Sequence, residues 1–596
     1  MSNFFKVFFG SCLGVIFGLG VLFFLVFAGF ASLASAGEQK PEVKANSILE
    51  LDLTTVPELT NNVEPTGGFG EFELDPDDVL GVHDIVRAIE RAAEDDDIKG
   101  IYLNSSFAGG GITKIRMIRE ALAGFREEGK FVLSYAPFYD QSAYYLATAG
   151  SEIYMGPLGA VDMRGLGAER MFYKKMLDKV GVRMDVYWAG DFKSATEPFR
   201  RTDMSEESKL QTRQYLTAIW DQMVDDIAMG RSIAPETVRR YADDMAGWKD
   251  EEAVTNKLID GIRRRSEVDA RLHELVGFDD DKKLVKISTV DYFAARLRKL
   301  KGRGDEVAVL FAEGGIVDGE GDVGGIGDKK YVDEIEKLTN DDDVKAVVLR
   351  VNSGGGSASA SENIWYAAEE LKAAGKPFVV SMGGVAASGG YYIAAGADSI
   401  FAEPSVVTGS IGVFMMFPIV EELFNEKLGI TTDTVNISRN ANAFSPFRDL
   451  GEEEQAVLKR RTDMIYQTFL ERVAEGRDMS VEEVRKIAGG RVYAGERALE
   501  IGLVDRLAGL DEAIASAARL ADLEEEDYSI GHYPRIKPPL ERLLEELLGS
   551  DAMGGNLAET ALRKQMGEEA YRQFMLFKET TEMRAPQARM TEYVTF

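Results

Sequence analysis

Along most of the chain, apolar and polar positions alternate with the two periodicities that are typical of strands and of amphipathic helices. Short apolar runs rich in β-branched residues, such as 346–351 and 378–382, predict buried strands. Residues 362–374, between these runs, have the spacing of an amphipathic helix. Strands and helices that alternate in this way are typical of βαβ units, whose strands form a parallel sheet. We therefore predict an α/β fold.

The N-terminal segment departs from this alternation, because residues 7–36 contain no charged residue and are dense in Phe, Leu, Val and Gly. The run exceeds the about 20 residues that span a bilayer, which predicts a transmembrane anchor. Lys6 precedes the run and gives a weak positive-inside signal. Ala34-Ser35-Ala36 has the form of a cleavage site, so a cleaved signal peptide stays open as an alternative. Either alternative sends the rest of the chain across the membrane.

The chain also resembles itself at an offset of about 247 residues. Residues 95–103 recur as residues 341–349, and a glycine-rich turn follows each copy, at 109–111 and at 354–356. Paired tyrosines come later in both copies. Repeats of this length indicate two duplicated domains rather than a solenoid of short units.

A chain of 596 residues is too long for a single core, which agrees with a duplication. The charged stretch 296–305 contains two glycines and is a plausible linker. We predict a first repeat domain at 47–300, a second at 305–535, and a peripheral, helical tail at 536–596.

Composition argues against several classes of function. The net charge is −31 and the basic clusters are short, so nucleic acid is not an expected partner. Cys12 is the only cysteine, which excludes an intrachain disulfide. The three histidines, His83, His273 and His532, limit mechanisms that need an imidazole base or a His-rich metal site. We expect a mechanism that uses no metal and no cofactor.

One serine stands out because small residues surround it directly after a predicted strand. Ser388 lies in the glycine-rich segment 383–392 and is predicted to open a helix, where N–H groups and the helix dipole favour negative charge. The alternative is that Ser388 only caps this helix. A second glycine-rich turn, at 352–357, follows another strand and offers backbone N–H groups for an oxyanion hole. Together the two elements favour an acyl-transfer nucleophile.

Three motifs carry a family resemblance: Asn-Ser-Gly-Gly-Gly at 352–356, Ala-Ser-Gly-Gly-Tyr at 387–391 and Thr-Gly-Ser-Ile-Gly at 408–412. In combination they resemble the signal peptide peptidase A family, also called protease IV, which shares the fold of Clp protease and the crotonases. Gly354 stands where the family turn usually has proline. The resemblance implies a tandem repeat of two Clp/crotonase-like βαβ domains after an N-terminal transmembrane helix.

A serine nucleophile needs a base, and no histidine lies in these segments. In the long, two-repeat form of the family, the base is a lysine in a Gly-Asp-Tyr-Lys-Ser-Ala-like segment, which Gly-Asp-Phe-Lys-Ser-Ala at 190–195 matches. The resemblance thus implies Lys193 as the base and Ser410 as the hydroxyl that orients it. Such a lysine needs burial or a positive neighbour to lower its pKa. The alternative is a surface lysine paired with Asp191 or Glu197.

Alignment of the two repeats supports a site built from both. Gln141 occupies the position of Ser388 in the first copy, and Ala441 occupies the position of Lys193 in the second. Each copy therefore lacks the group that the other keeps. This complementary loss predicts one composite site at the junction of the two domains.

The resulting prediction is a serine endopeptidase with a Ser388–Lys193 dyad, in which the N–H groups of Gly355 and Gly389 form the oxyanion hole. The resemblance implies peptide substrates such as cleaved signal peptides, a homotetramer, and a single-pass protein of the bacterial inner membrane with its catalytic body on the periplasmic side. Two alternatives stay open: an inactive membrane scaffold, and a crotonase-type acyl-CoA enzyme. The second would need an acidic residue near the oxyanion hole and a cytoplasmic location.

Overall fold

The structure is a computed structural model that describes residues 41–61, 79–277, 283–297, 304–321, 324–524, 527–536 and 587–589. The predicted anchor at 7–36 lies outside these ranges. Among the helices within them, none combines the length and the apolar character needed to cross a membrane.

The first repeat is built on a six-stranded parallel sheet. Its strands lie in the order β6-β4-β3-β2-β1-β7. Their bounds are β1 (Ser47–Leu51), β2 (Ile98–Leu103), β3 (Phe131–Ala136), β4 (Glu152–Met155), β6 (Gly261–Ile262) and β7 (Lys286–Ser288).

The second repeat contains the same arrangement of parallel strands, in the order β18-β14-β13-β11-β8-β19. The last part of β13 also pairs with β15, which in turn pairs antiparallel with β17. The bounds are β8 (Asp305–Glu313), β11 (Val344–Ser353), β13 (Phe378–Ala387), β14 (Ser399–Ala402), β15 (Val407–Gly409), β17 (Val492–Ala494), β18 (Arg506–Leu507) and β19 (Tyr528–Tyr533). The matching strand orders confirm the predicted α/β duplication.

In both repeats, helices alternate with strands along the chain. Buried apolar side chains pack the layer of helices against the sheet. Strands β11 and β13 are almost wholly buried, as expected for parallel strands covered on both faces. The helices of the first repeat are α1 (Val82–Glu94), α2 (Ile112–Glu127), α3 (Gln141–Ala147), α4 (Lys174–Val180), α5 (Glu197–Arg200), α6 (Glu206–Arg231), α7 (Pro235–Asp243), α8 (Asp250–Thr255), α9 (Arg265–Val276) and α10 (Thr289–Arg296). Those of the second are α11 (Asp328–Asn340), α12 (Ala358–Ala373), α13 (Gly389–Tyr392), α14 (Glu452–Gly476), α15 (Val481–Ile487), α16 (Gly495–Glu500) and α17 (Leu510–Leu520).

A third, mixed sheet joins the two repeats. Its strand order is β10-β9-β12-β20-β16-β5, and the antiparallel pair β5–β16 places Ala189 opposite Val413. Because the pair is antiparallel, the end of β5 in the first repeat lies beside the start of β16 in the second repeat. The bounds are β5 (Arg183–Ala189), β9 (Ile316–Val317), β10 (Ile326–Gly327), β12 (Gly355–Ser357), β16 (Val413–Ile419) and β20 (Gln587–Arg589).

Strand β20 differs from the predicted peripheral, helical tail at 536–596. It lies between β12 and β16 and pairs antiparallel with both strands. The edge of β12 has backbone groups that need partners, and an extended segment satisfies them whatever its side chains are. No local pattern in the sequence of this segment predicts the pairing.

A buried ion pair is a second connection between the repeats. Arg350 on β11 donates from Nε to Glu58 Oε2 at 3.0 Å, and the side chains are 0% and 1% exposed. The same guanidinium donates to Ser381 Oγ and to the Met382 carbonyl, so β11 and β13 are tied to the first repeat at this point.

Candidate active site

Ser388 lies at the tight turn between β13 and α13. Its backbone has φ 57° and ψ −117°, a conformation that is rare for any residue other than glycine and is held by surrounding structure. The Ser388 N–H donates to the Gly409 carbonyl at 2.8 Å, which anchors the turn to β15. The side chain accepts no hydrogen bond from the helix N–H groups, so it is not a capping residue. Its hydroxyl faces Lys193 instead.

Lys193 reaches this serine from the first repeat. It follows β5 and precedes the short 3₁₀ turn Ser194–Thr196. Its Nζ lies 2.8 Å from Ser388 Oγ, and 3.1 Å from both the hydroxyl and the carbonyl oxygen of Ser410. The residue is 2% exposed, which excludes the alternative of a surface lysine. The structure therefore brings together the three polar side chains that the sequence analysis selected.

Burial sets the protonation state of this amine. Removing the charged ammonium from water disfavours it, and the pKa of Lys193 falls from its ordinary value to about 7. No ion pair within the described part of the chain opposes that shift. A sizeable fraction of Lys193 is thus neutral near pH 7 and able to accept a proton.

A loop of the second repeat, Gly489–Arg491, positions the parts of the site and was not identified from the sequence. The Gly489 carbonyl accepts from Phe192 N–H, and the Arg491 carbonyl accepts from Ser410 N–H at 2.7 Å. A Cβ at Gly490 would lie 2.7 Å from Lys193 Cα, so only glycine fits there. The adjacent glycines were a signal that could have marked this loop as a close contact between backbones.

Gln211 on α6 is a second positioning residue that the sequence analysis missed. Its amide nitrogen donates to the Phe192 carbonyl and to Ser194 Oγ, on either side of Lys193. Its carbonyl oxygen accepts from Val492 N–H at the start of β17. This buried amide thus joins the lysine segment to the second repeat. A single polar residue in a long helix gives no sequence signal for that role.

The two predicted oxyanion donors lie on two elements that contact each other, Gly389 on α13 and Gly355 on β12. Gly389 begins α13, so its N–H has no partner within the helix. The Gly355 N–H donates to Ser353 Oγ at 3.1 Å in this conformation, and this hydroxyl would have to yield to an oxyanion. Helix α13 approaches the turn closely, because a Cβ at Gly390 would meet the Ser353 carbonyl at 2.4 Å.

With this geometry established, comparison with known proteins identifies the family. The sequence model of peptidase family S49 matches residues 124–279 and again 370–524, together more than half of the chain. The chain belongs to peptidase family S49. The two matches fall in the two repeats, and they confirm the predicted relationship to protease IV and signal peptide peptidase A.

Individual relatives support the assignment of this S49 peptidase to its family. "Protease 4" of Haemophilus influenzae is 35% identical over 527 residues, covering 85% of both chains. "Protease 4" of Salmonella typhi is 35% identical over 78% of this chain and 76% of its own. "Serine protease SPPA, chloroplastic" of Arabidopsis thaliana is 31% identical over 73% of this chain and 64% of its own. These relatives support a peptidase and count against the acyl-CoA alternative.

Among solved structures, this S49 peptidase matches a point mutant of ClpP1 from Listeria monocytogenes. The match covers 35% of this chain and 94% of that chain, at 15% identity and a TM-score of 0.23.

The position between β12 and β16, called the groove below, is filled by β20 of the same chain and lies close to α13, the helix that follows Ser388. In the register of β12 and β20, Gly355 pairs with Arg589 and Gly356 with Ala588. Phe414 on β16 pairs with Gln587 from the other side. An extended backbone can therefore lie between these strands, next to the predicted oxyanion donor Gly355.

Proposed function

We propose that the protein is a serine endopeptidase whose catalytic dyad is shared between the repeats, with Ser388 as nucleophile and Lys193 as base. The observation that carries this proposal is the 2.8 Å contact between Lys193 Nζ and Ser388 Oγ in a site closed to solvent. A nucleophile in hydrogen-bond contact with a base, and a base held by a third group, is the arrangement that activates serine hydroxyls.

The reaction begins when Lys193 accepts the hydroxyl proton as Ser388 Oγ attacks a peptide carbonyl. Ser410 orients the amine through its hydroxyl and its carbonyl oxygen. The N–H groups of Gly389 and Gly355 stabilise the tetrahedral oxyanion, and each such donor is worth roughly 2.7–4 kcal/mol in other serine proteases. The Lys193 ammonium then protonates the leaving amine, and water hydrolyses the acyl-enzyme by the same route.

Substrates bind as extended strands in the groove between β12 and β16. Strand β20 supports this mode, because it uses the same backbone edges that a substrate would use. Recognition through main-chain hydrogen bonds tolerates many sequences, which suits an enzyme that degrades mixed peptides. Residues 587–589 have to leave before such a substrate binds.

The physiological substrates proposed are cleaved signal peptides and other exported peptides. The apolar run at 7–36 supports attachment to the inner membrane, with the catalytic body on the periplasmic side. A homotetramer is proposed on the family resemblance alone.

The test is hydrolysis of an apolar, signal-peptide-like peptide by the full chain and by its Ser388→Ala and Lys193→Ala variants. We expect both variants to lose turnover while their thermal unfolding and elution volume on a sizing column stay unchanged. Undiminished hydrolysis by Lys193→Ala would refute the dyad. A folded wild type without hydrolysis of any peptide would favour the inactive scaffold.

A further inference from the structure

Two of the chain's three histidines lie side by side where the repeats meet, away from the dyad. His83 is the second residue of α1 in the first repeat, and His532 lies on β19 of the second repeat. Their rings are 5.4 Å apart, and His83 Nδ1 lies 3.3 Å from His532 Nε2. Strand β19 is separated from β13 by β11 and β8, so the pair is not part of the catalytic groove.

An acidic residue completes a set of three candidate ligands. Asp84 follows His83 on α1, and one ligand atom from each of His83, Asp84 and His532 lies within 4.8 Å of the other two. Within the described ranges, this is the group of His, Cys, Asp and Glu side chains close enough to hold a metal ion. Two imidazoles and one carboxylate are a donor set that suits zinc.

The spacing of the two ring nitrogens agrees with such a site. Zinc–nitrogen bonds of about 2.0–2.1 Å in a tetrahedron place two ligand nitrogens about 3.3 Å apart. The observed separation is 3.3 Å, which is long for a direct hydrogen bond between ring nitrogens. Asp84 is farther from the pair: its Oδ1 lies 4.0 Å from His532 Nδ1, and its Oδ2 accepts from Thr60 Oγ1, so its side chain would have to turn away from Thr60 to bind the ion.

The surroundings of His83 fix the orientation that a ligand needs. Its other ring nitrogen, Nε2, lies 2.9 Å from Asp511 Oδ1 at the start of α17. A carboxylate that accepts from one nitrogen leaves the lone pair of the other nitrogen directed at the ion, as metal-bound histidines usually show. Here that free nitrogen is Nδ1, the atom that faces His532.

Charge and access are also compatible with a cation. Asp84 and Asp511 supply two negative charges, while the nearby Arg87 acts on both His532 and Asp511 and opposes a cation. The His83 side chain is 1% exposed, whereas those of His532 and Asp511 are 21% and 52% exposed. An ion can therefore reach the cluster from solvent without opening the core.

We propose that His83, Asp84 and His532 bind one zinc ion, with water as the fourth ligand and Asp511 orienting His83. The ion would join α1 of the first repeat to β19 of the second. It would thus stabilise the junction across which the two repeats meet, without taking part in peptide hydrolysis.

The test uses the full chain in detergent, purified with a histidine-free tag, stripped with a chelator and titrated with Zn²⁺ alone. We expect one ion per chain, and loss of affinity by about 100-fold or more in His83→Ala and in His532→Ala. Asp511→Asn should weaken binding by about 10-fold, and Arg87→Ala should tighten it several-fold. The matched control is His273→Ala, which removes the remaining histidine and should leave affinity unchanged.

Two readouts keep the proposal independent of enzyme activity and of any variant that fails to fold. Co²⁺ added to the stripped wild type should give the intense visible absorption of a tetrahedral site, and Zn²⁺ should displace it. Zn²⁺ should also raise the melting temperature of wild type and of His273→Ala but not of His532→Ala. A stripped wild type that binds no Zn²⁺, or binding that survives His532→Ala, would overturn the proposal and leave a direct hydrogen bond between the histidines.

Discussion

The same corner of the fold occurs in both repeats, and the two copies use it differently. In the second repeat the corner between β13 and α13 carries Ser388, whose hydroxyl contacts Lys193. In the first repeat the corner between β3 and α3 carries Gln141. Its amide oxygen accepts from the N–H groups of Arg164 and Gly165, and its amide nitrogen donates to the Gly165 carbonyl.

The Gln141 corner is structural because both the oxygen and the nitrogen of the amide form hydrogen bonds within their own repeat. At the Ser388 corner the hydroxyl's partner comes from the other repeat instead. The lysine position shows the opposite asymmetry, since Lys193 is buried at the junction whereas Ala441 lies on the exposed surface. In the proposed mechanism, the two reacting groups are thus divided between the copies of the duplicated domain.

The largest effect on activity is expected from substitutions at these two corners. Ser388→Ala removes the nucleophile and should lower kcat by about 10⁴-fold or more. Gln141→Ala removes hydrogen bonds within the first repeat and should cost stability while retaining most of the activity. Steady-state peptide hydrolysis and thermal unfolding of both variants check this. Equal losses of kcat at the two positions would contradict the division of roles.

The next largest effect is expected on stability, at the buried ion pair that joins the two repeats. Arg350→Ala leaves Glu58 buried without its partner and should destabilise the fold by about 3–5 kcal/mol. The equivalent position in the first repeat is the half-buried Asn104, which donates to Glu50 at 3.2 Å. Asn104→Ala should cost only about 1 kcal/mol. Urea midpoints of the two variants measure the difference, and similar shifts would mean that the ion pair does not stabilise the junction.

The orienting role assigned to Ser410 predicts a smaller loss. Ser410→Ala removes the hydroxyl that contacts Lys193 Nζ but keeps the carbonyl contact, so kcat should fall by about 10- to 100-fold with little change in KM. Ser410→Thr should restore part of the activity. A change confined to KM would instead place Ser410 in substrate binding.

The smallest expected effect concerns the groove. A chain that ends at residue 586 lacks β20, so a substrate no longer competes with it for the edges of β12 and β16. KM for a peptide should fall several-fold while kcat stays the same. As a control, adding the missing segment as a free peptide should inhibit the shortened chain competitively. An unchanged KM would show that β20 and the substrate do not share the groove.

Much of the fold follows from local pattern. The repeated strands, such as Val344–Ser353 and Phe378–Ala387, are rich in apolar residues, and the helix Ala358–Ala373 has amphipathic spacing. Ser388 was selected from its glycine-rich surroundings and Lys193 from the resemblance to protease IV, and the complementary loss between the two repeats then supported pairing them.

The remaining features join residues that are distant in the chain. The β5–β16 pair, the Glu58–Arg350 ion pair and the loop at 489–491 link segments of different repeats. Strand β20 pairs with backbone edges of β12 and β16, and the amino-acid composition of residues 587–589 does not predict this pairing. The hydrophobic periodicity of one segment does not predict which distant segment it will contact, because these contacts depend on the packing of the whole fold.

The pH dependence of Ser388 acylation shows whether a lysine of the first repeat activates a serine of the second. A peptide that carries a serine-reactive phosphonate should label Ser388, as located by mass spectrometry. Because the pKa of Lys193 is lowered to about 7, its neutral form accumulates as pH rises, and the labelling rate should increase through a midpoint near that value. Lys193→Ala should label far more slowly and without this midpoint. An unchanged rate and midpoint in Lys193→Ala, or a label on another serine, would contradict the shared site.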